Sequence, residues 1–406
     1  MPLRMIAFLV SFAAILFCRI ELGCVKAQEN LPKFQSVTID DDIGNVCYAV
    51  LAVDVDGDKQ VDIVAVTENR VLWYKSPGRS DVADPTKWKK FVIIENQTER
   101  DNVCIAAYDI DRDGKIDFAL GAGWTKKGTL QWLQRGQSLD EKWNVHEIGA
   151  EAWLHRMSFA DVLGKGRAQL VISPLNKTKS PGVRLTAFEI PEKPETSRWN
   201  PVIVNQQDFD RLHNHTHFRN ERDGNIQTLV ANKSGTIVVS RKGQEWNLES
   251  ISDLGAGEVK RGRVGEEKTF VATIEPMHGQ KVAVYWPQKK SGEKMAWRRQ
   301  EIENELAGGH ALIAQDLDQD GVDELIVGHR LKGKGKTTGP GLYIYQMDTK
   351  NTAEGKLPAW RKTVLDNGGI AVEDATCLDV DGDGDPDIVA GGRGTRNLKL
   401  FLNQAK

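Results

Sequence analysis

The feature that most constrains this chain is an acidic loop between two short apolar runs at residues 311–327. Its carboxylates and its glycine are Asp316, Asp318, Asp320, Gly321 and Glu324. Acids at positions 1, 3, 5 and 9 with glycine at position 6 let one loop wrap a hard cation such as Ca²⁺. The flanking runs are too short for helices, so they predict two strands joined by the loop.

The loop recurs along the chain. The copies with glycine are Asp109, Asp111, Asp113, Gly114 and Asp117, and Asp379, Asp381, Asp383, Gly384 and Asp387. Another copy, formed by Asp54, Asp56, Asp58 and Asp62, has Lys59 where glycine is expected. A lone copy would also be compatible with an EF-hand, but no helical period flanks any of these. The loops predict Ca²⁺ in a structural role, because each loop uses its own acids as ligands.

These units resemble the FG-GAP/VCBS-type repeats of integrin-α-like β-propellers, over nearly the whole chain after its first residues. The resemblance implies a propeller with calcium in its loops. It implies no particular function.

A second repeat predicts the number of blades. An aromatic residue is followed five positions later by Ile, Val or Leu at Phe34, Trp88, Trp143, Trp199, Trp246, Trp297 and Trp360. Repeats of about 40 to 50 residues with four strands each are typical of propeller blades. We therefore predict an all-β fold, a seven-bladed β-propeller. The last blade lacks an outer strand, and the segment from Phe34 to Ile39 is expected to supply it and close the ring.

The first 27 residues have a different character. Arg4 precedes an apolar run at 5–17, and small residues precede a cut after Ala27. This pattern predicts a signal peptide at 1–27, followed by the propeller at 28–406, and a secreted or periplasmic protein. A lipoprotein site at Cys24 fits less well because of Glu21. The apolar run is too short to span a membrane, and no later stretch is long enough.

Charge and cysteine content narrow the alternatives. The net charge is −3 with both signs interspersed, so no nucleic-acid partner is expected. Cleavage after Ala27 would leave Cys47, Cys104 and Cys377. A bridge between Cys47 and Cys104 is one interpretation, and buried thiols in packed inner strands is the favoured one.

Polar residues recur where the inner strands begin. Six positions before the first residue of each loop lie His155, His213, Glu258, His310 and Glu373. In the first two blades Asn45 and Asn102 are nearest, with a shifted offset. The loops that open onto the same face carry His278 and His329, and His215 and His217 are expected to extend the His213 cluster. Strand starts lie on the face opposite the acidic loops, so we predict a site at the mouth of the central channel.

Imidazoles with carboxylates suit a transition metal such as Zn²⁺ better than Ca²⁺. They also suit proton transfer near neutral pH. The alternative for any single histidine is a structural cap that bonds loop backbone. The predicted catalytic residues are His155, His213, His310, Glu258, Glu373, His278 and His329.

Two functions remain open. The first is a metal-assisted sugar lyase that removes a proton next to a carbonyl and then loses water, with His and Glu as acid and base. The histidine-rich mouth resembles that of the propeller domain in fungal aldos-2-ulose dehydratases. The second is a non-catalytic, calcium-stabilised module that recognises a glycan or a protein. That alternative leaves the ring of His and Glu residues unexplained.

Overall fold

The fold was analysed in a computed structural model. It describes residues 31–125, 127–177, 182–205, 210–221, 223–288, 295–333, 339–349 and 355–405. These ranges form seven antiparallel sheets of four strands each, arranged as the predicted β-propeller. The predicted signal peptide, residues 1–27, lies outside the described residues. In the part of the chain described, no helix is long and apolar enough to cross a membrane.

Each blade runs from an inner strand at the central channel to an outer strand. Blades 1 and 2 are β2 (Cys47–Val53), β3 (Asp62–Thr67), β4 (Arg70–Lys75) and β5 (Lys89–Glu95), then β6 (Cys104–Tyr108), β7 (Asp117–Ala122), β8 (Thr129–Gln134) and β9 (Asn144–Ala150). Blades 3 and 4 are β10 (Leu154–Ala160), β11 (Gln169–Pro174), β12 (Thr186–Glu189) and β13 (Asn200–Ile203), then β14 (Leu212–Arg219), β15 (Ile226–Asn232), β16 (Gly235–Lys242) and β17 (Glu245–Ser252).

Blades 5 and 6 are β18 (Glu258–Val264), β19 (Lys268–Glu275), β20 (Lys281–Gln288) and β21 (Ala296–Glu303), then β22 (Gly309–Gln315), β23 (Glu324–His329), β24 (Gly341–Asp348) and β25 (Ala359–Asn367). Blade 7 is β26 (Val372–Leu378), β27 (Asp387–Gly392), β28 (Leu398–Asn403) and β1 (Phe34–Asp40). A short 3-10 helix, Pro85–Lys87, precedes β5.

The ring closes as predicted, because β1 is the outer strand of blade 7. It pairs antiparallel with β28, with Phe34 opposite Asn403 and Val37 opposite Leu400. Val37 is buried against residues of blades 1 and 7. The pairing covers a sheet edge that would otherwise offer free backbone groups.

The core lies between adjacent blades. Trp143, just before β9, stacks on Phe118 of its own blade at 5.3 Å and belongs to a cluster that includes Phe91 of blade 1. Its backbone N–H donates to the carbonyl of Ile93 in that neighbouring blade at 2.8 Å. The recurring aromatic residue therefore joins one blade to the next, which explains its period.

The three cysteines within the described ranges are thiols. Cys47 and Cys104 begin the inner strands β2 and β6 and are buried, and Cys377 is half-buried. The Cys47–Cys104 bridge is not formed, and the favoured interpretation of buried thiols describes this pair.

Candidate active site

A β-bulge marks the site position in five inner strands. In β10 the pairing register shifts between Leu154 and Arg156, so His155 lies outside the regular ladder. The same shift occurs at Tyr48, His213, His310 and Glu373. A bulge bends the strand and re-aims the extra side chain. The bulges explain how residues at one sequence spacing reach the mouth of the channel.

Three of the bulged residues are histidines tied to the next blade. His155 Nδ1 lies 3.1 Å from the His213 carbonyl oxygen, and His213 Nδ1 lies 2.9 Å from that of Gly257. His310 Nδ1 bonds the Glu373 carbonyl. Because a carbonyl only accepts hydrogen bonds, each Nδ1 must donate, and the lone pair is left on Nε2. Metal-binding histidines are commonly oriented by this kind of bond through the other ring nitrogen.

The same histidines converge. Ring nitrogens of His155, His213 and His310 lie within 4.8 Å of one another, and all three side chains are buried. Burial, reinforced by the neighbouring His213, holds the pKa values of His155 and His310 well below the usual range. Imidazoles kept neutral in this way have the protonation state that a metal ligand requires.

His278, on the loop after β19, completes the cluster. Its Nε2 lies 2.7 Å from Nε2 of His213, and its ring centre lies 4.8 Å from that of His310. Burial, followed by the charges that His213 and Arg330 would contribute, lowers the pKa of His278 to about 2. The three imidazoles of His155, His213 and His310 fit Zn²⁺ or a related transition metal, and they do not fit Ca²⁺.

Two carboxylates flank the histidines. Glu373 is bound by two guanidinium groups, at 2.9 Å from Arg330 and 2.6 Å from Arg393. Glu258 lies 3.1 Å from His213 Nδ1 and 3.7 Å from Arg156. Burial alone would raise the pKa of Glu258, but His213 and Arg156 outweigh it and the pKa is lowered. Glu258 therefore faces the cluster as a carboxylate.

The cluster forms part of the wall of a cavity of about 450 Å³. Its lining residues are Tyr48, Val103, Trp124, His155, Arg156, Leu175, His278, His310, Arg330, Leu331, Glu373, Arg393 and Gly394. Concave sites with apolar walls and a few converging polar groups are typical of small-molecule binding. Acidic loops and this cavity lie at opposite ends of the inner strands, as expected.

Three predicted positions differ in the structure. His329 does not line the cavity: it is a regular ladder residue opposite Gly309 and Gly341, and its ring packs 4.8 Å from that of Tyr343. His329 ends the second strand β23 and is not on an inner strand. His215 and His217 do not extend the His213 cluster either.

The Nε2 atoms of His215 and His217 lie 2.7 and 2.9 Å from Ser158 Oγ. Both line a second cavity of about 260 Å³. These two histidines thus form a separate group along the channel.

Tyr48 and Val103 are site residues that the sequence interpretation missed. The six-residue spacing, counted back from Asp54 and Asp109, leads to them and not to Asn45 and Asn102. Asn45 instead donates to Glu68 at 2.8 Å. The signal was present in the spacing, which places Tyr48 and Val103 at the same strand position as His155 and Glu373. Arg156 and Trp124 also line the cavity, and no repeat spacing in the sequence points to either of them.

The acidic loops gather oxygen atoms in groups of three within 4.8 Å. The groups are Asp54, Asp56 and Asp58; Asp109, Asp111 and Asp117; Asp316, Asp318 and Asp320; and Asp379, Asp381 and Asp387. The remaining predicted ligands, Asp62, Asp113, Glu324 and Asp383, lie in the same loops outside these groups. The last acid of each loop also accepts hydrogen bonds from backbone N–H groups. Asp117, for example, accepts from Ile110 N at 3.2 Å and from Arg135 N at 3.1 Å.

The loop of blade 1 differs from the others. The Lys75 ammonium bonds Asp56 and lies 2.5 Å from Asp58. In the loops of blades 2 and 6 the corresponding third-strand residues are neutral: Gln134 and Gln346 donate to Asp111 and Asp318, each at 2.9 Å. One ammonium group thus pairs with two acids of this loop, whereas the loops of blades 2 and 7 have one longer contact each, Lys115 with Asp113 at 3.3 Å and Arg79 with Asp383 at 3.9 Å.

Comparisons with known proteins agree with both predicted resemblances. Residues 54–120 match the FG-GAP-like repeat, and residues 127–290 match the beta-propeller domain of aldos-2-ulose dehydratase. Aldos-2-ulose dehydratase of Phanerodontia chrysosporium is 24% identical over 235 residues, which is 50% of this chain and 26% of that enzyme. The chain therefore covers about a quarter of the length of this relative.

Solved structures share the fold. In crystal structures of BBS1N in complex with ARL6DN, soaked with mercury or with lead, the matched chains have TM-scores of 0.52 and 0.50 at 12% and 13% identity. These matches cover 92% and 90% of this chain, and 98% of the other chain in both cases. The chain is a seven-bladed β-propeller with FG-GAP-like repeats, and it is similar to the propeller domain of aldos-2-ulose dehydratase.

Proposed function

We propose that this protein is a metal-dependent lyase that removes a proton next to a carbonyl group of a sugar and then expels water. The observation that carries the proposal is the cluster of His155, His213 and His310, in which each Nδ1 bonds backbone and the lone pair is on Nε2. The similarity to a protein named aldos-2-ulose dehydratase supports the reaction class, and it includes His155, His213 and His278 within residues 127–290.

His155, His213 and His310 would hold the metal through Nε2. A bound Zn²⁺ supplies a Lewis acid that polarises a carbonyl oxygen and stabilises the negative charge that develops on it. The donor set fits this ion because its rings are buried and are oriented by backbone bonds at Nδ1.

The neighbouring side chains would handle the protons. His278 would act as the general base, because its imidazole lines the cavity next to the histidine cluster. Burial, with Asp101 nearby, raises the pKa of Tyr48, so its hydroxyl stays protonated and can donate to the departing oxygen. Both residues line the same cavity. Proton transfer by positioned groups of this kind typically contributes a rate factor of about 10² to 10⁴.

The remaining assignments belong to the same proposal. Ca²⁺ would occupy the acidic loops of blades 2, 6 and 7 and stabilise the fold, while the blade 1 loop is balanced by Lys75. A leader at 1–27 would direct the protein to a secreted or periplasmic location. The partner is a small sugar, and no nucleic acid is expected.

The reaction is tested by incubating the zinc-loaded protein with sugars that carry a hydrogen next to a carbonyl group, both neutral aldos-2-uloses and uronates, and following the ultraviolet absorbance of the unsaturated product. We expect turnover that a chelator abolishes and that added Zn²⁺ restores. If zinc-loaded protein binds the sugar without turnover, the non-catalytic glycan-binding alternative replaces this proposal.

A further inference from the structure

Three guanidinium groups line the proposed active-site cavity: those of Arg156, Arg330 and Arg393. Arg330 follows β23 and Arg393 follows β27, so both come from loops at the mouth. The lining includes one carboxylate, that of Glu373. Arg156 has its own counter-ion in Glu258, at 3.7 Å. Positive charge therefore exceeds negative charge around Arg330 and Arg393.

The excess positive charge lies on the guanidinium groups of Arg330 and Arg393. Glu373 Oε2 accepts from Arg330 at 2.9 Å and Oε1 accepts from Arg393 at 2.6 Å. Among the described residues, no second carboxylate lies within ion-pair distance of either guanidinium. Each guanidinium has five N–H donors, and one of them is used on Glu373.

The two arginine side chains are more exposed to solvent than the carboxylate that they bind. Glu373 is 5% exposed, whereas Arg330 and Arg393 are 17% and 36% exposed. The carboxylate thus lies beneath two guanidinium groups that face the cavity. A neutral sugar would leave one of these two charges without a counter-ion, and an unpaired charge in a partly buried site is costly.

We infer that the substrate is an acidic sugar, a uronate, whose carboxylate binds Arg330 and Arg393. The inference rests on the proposed lyase function and names its substrate class. Planar guanidinium groups match carboxylates with paired hydrogen bonds, which makes arginine the preferred residue for this recognition. Tyr48 supports the arrangement, because Arg393 Cζ lies 5.5 Å from its ring centre.

The chemistry balances without a further reactant. His278 takes the proton from the carbon next to the carboxylate, and that C–H electron pair forms a double bond to the adjacent carbon. The C–O bond on the adjacent carbon breaks, and the oxygen takes a proton from the Tyr48 hydroxyl and leaves as water or as the hydroxyl of a neighbouring sugar. The proton held by His278 then returns to Tyr48 through solvent, which restores both groups. Negative charge develops on the carboxylate oxygens, where the guanidinium groups stabilise it.

The test compares binding of D-glucuronate and D-glucose, which differ at one carbon, to zinc-loaded protein by calorimetry. We expect D-glucuronate to bind at least about tenfold more tightly, since charge-assisted hydrogen bonds contribute more than 1.4 kcal/mol. Arg330→Met and Arg393→Met should each remove most of this preference. Arg330→Lys keeps the charge and should retain part of it, and Arg198→Met, on an exposed surface loop, should retain all of it.

Equal affinities for the two sugars, no binding of either, or an unchanged preference in both Met variants would overturn the inference. Failure of the proposed function has a separate readout. It appears as a preference for D-glucuronate without any chelator-sensitive formation of an unsaturated acid.

Discussion

The Nε2 atoms of His213 and His278 lie 2.7 Å apart, within hydrogen-bonding distance. His213 Nδ1 donates to the Gly257 carbonyl, so its Nε2 carries the one lone pair of the ring, which can either accept from His278 Nε2 or bind a metal. His278 lines the cavity and His213 belongs to the buried cluster. This bond therefore connects the candidate metal ligands to the space where a substrate would bind.

Replacing His278 should separate catalysis from metal binding. We expect His278→Gln to lower kcat by about a hundredfold or more, because the proposed base is lost. Its zinc content and melting temperature should stay near those of the wild type. His329→Gln is the matched control, since that ring packs on Tyr343 outside the cavity. Equal activity of the two variants would exclude His278 as the base.

Calcium binding should differ between the loops. We expect three ions per chain, in the loops of blades 2, 6 and 7, because Lys75 balances the acids of blade 1. Lys75→Gln introduces the residue type found at the corresponding positions 134 and 346, and it should raise the number to four. Equilibrium dialysis with atomic emission gives the stoichiometry. Four ions in the wild type would contradict this account of Lys75.

Calcium should also stabilise the fold. A ligand at a hundred times its dissociation constant, bound only by the folded state, contributes about 2.7 kcal/mol. Asp381→Ala should remove part of the rise in melting temperature that Ca²⁺ produces. A melting curve that excess chelator leaves unchanged would exclude calcium from the loops.

The acidic loops predict a pH dependence in the calcium-free protein. Burial raises the pKa of Asp117 and Asp387 to about 7, and that of Glu324 to about 9. The folded state then binds more protons than the unfolded state, so stability is lost as pH rises from about 5 to 8. Melting temperatures measured with chelator should fall across this range, and Asp117→Asn should flatten the slope. A melting temperature that rises with pH over this range would contradict the prediction.

Ring closure predicts a contrast between neighbouring residues of β1. Val37 is 5% exposed and packs in the cluster between blades 1 and 7, whereas Ser36 is exposed. Val37→Asp should cost about 3 kcal/mol or more of unfolding free energy, because it buries an unpaired charge. Ser36→Asp should cost less than about 0.5 kcal/mol. Similar denaturant midpoints would show that β1 contributes little to closure.

The fold was predictable because each blade repeats the same sequence pattern. Each blade carries an aromatic residue that packs between blades, as Trp143 does, and the unmatched Phe34 segment had one place to go. Spacing also located His155, His213 and His310. It did not show that His215 and His217 lie apart from the cluster, because the bulge that aims His213 at the mouth is visible only in the strand pairing. Lys75 lies far from its loop in sequence, so its contact with Asp58 depends on three-dimensional packing.

The most direct test of the central claim is the zinc content of purified protein after dialysis against Ca²⁺, measured by mass spectrometry of the metal. We predict one zinc ion per chain in the wild type and in His146→Ala, whose ring lies on the outer strand β9. His155→Ala and His310→Ala should lose the zinc while keeping a calcium-dependent melting curve. Zinc retained in both of these variants, or absent from the zinc-loaded wild type, would contradict the metal centre.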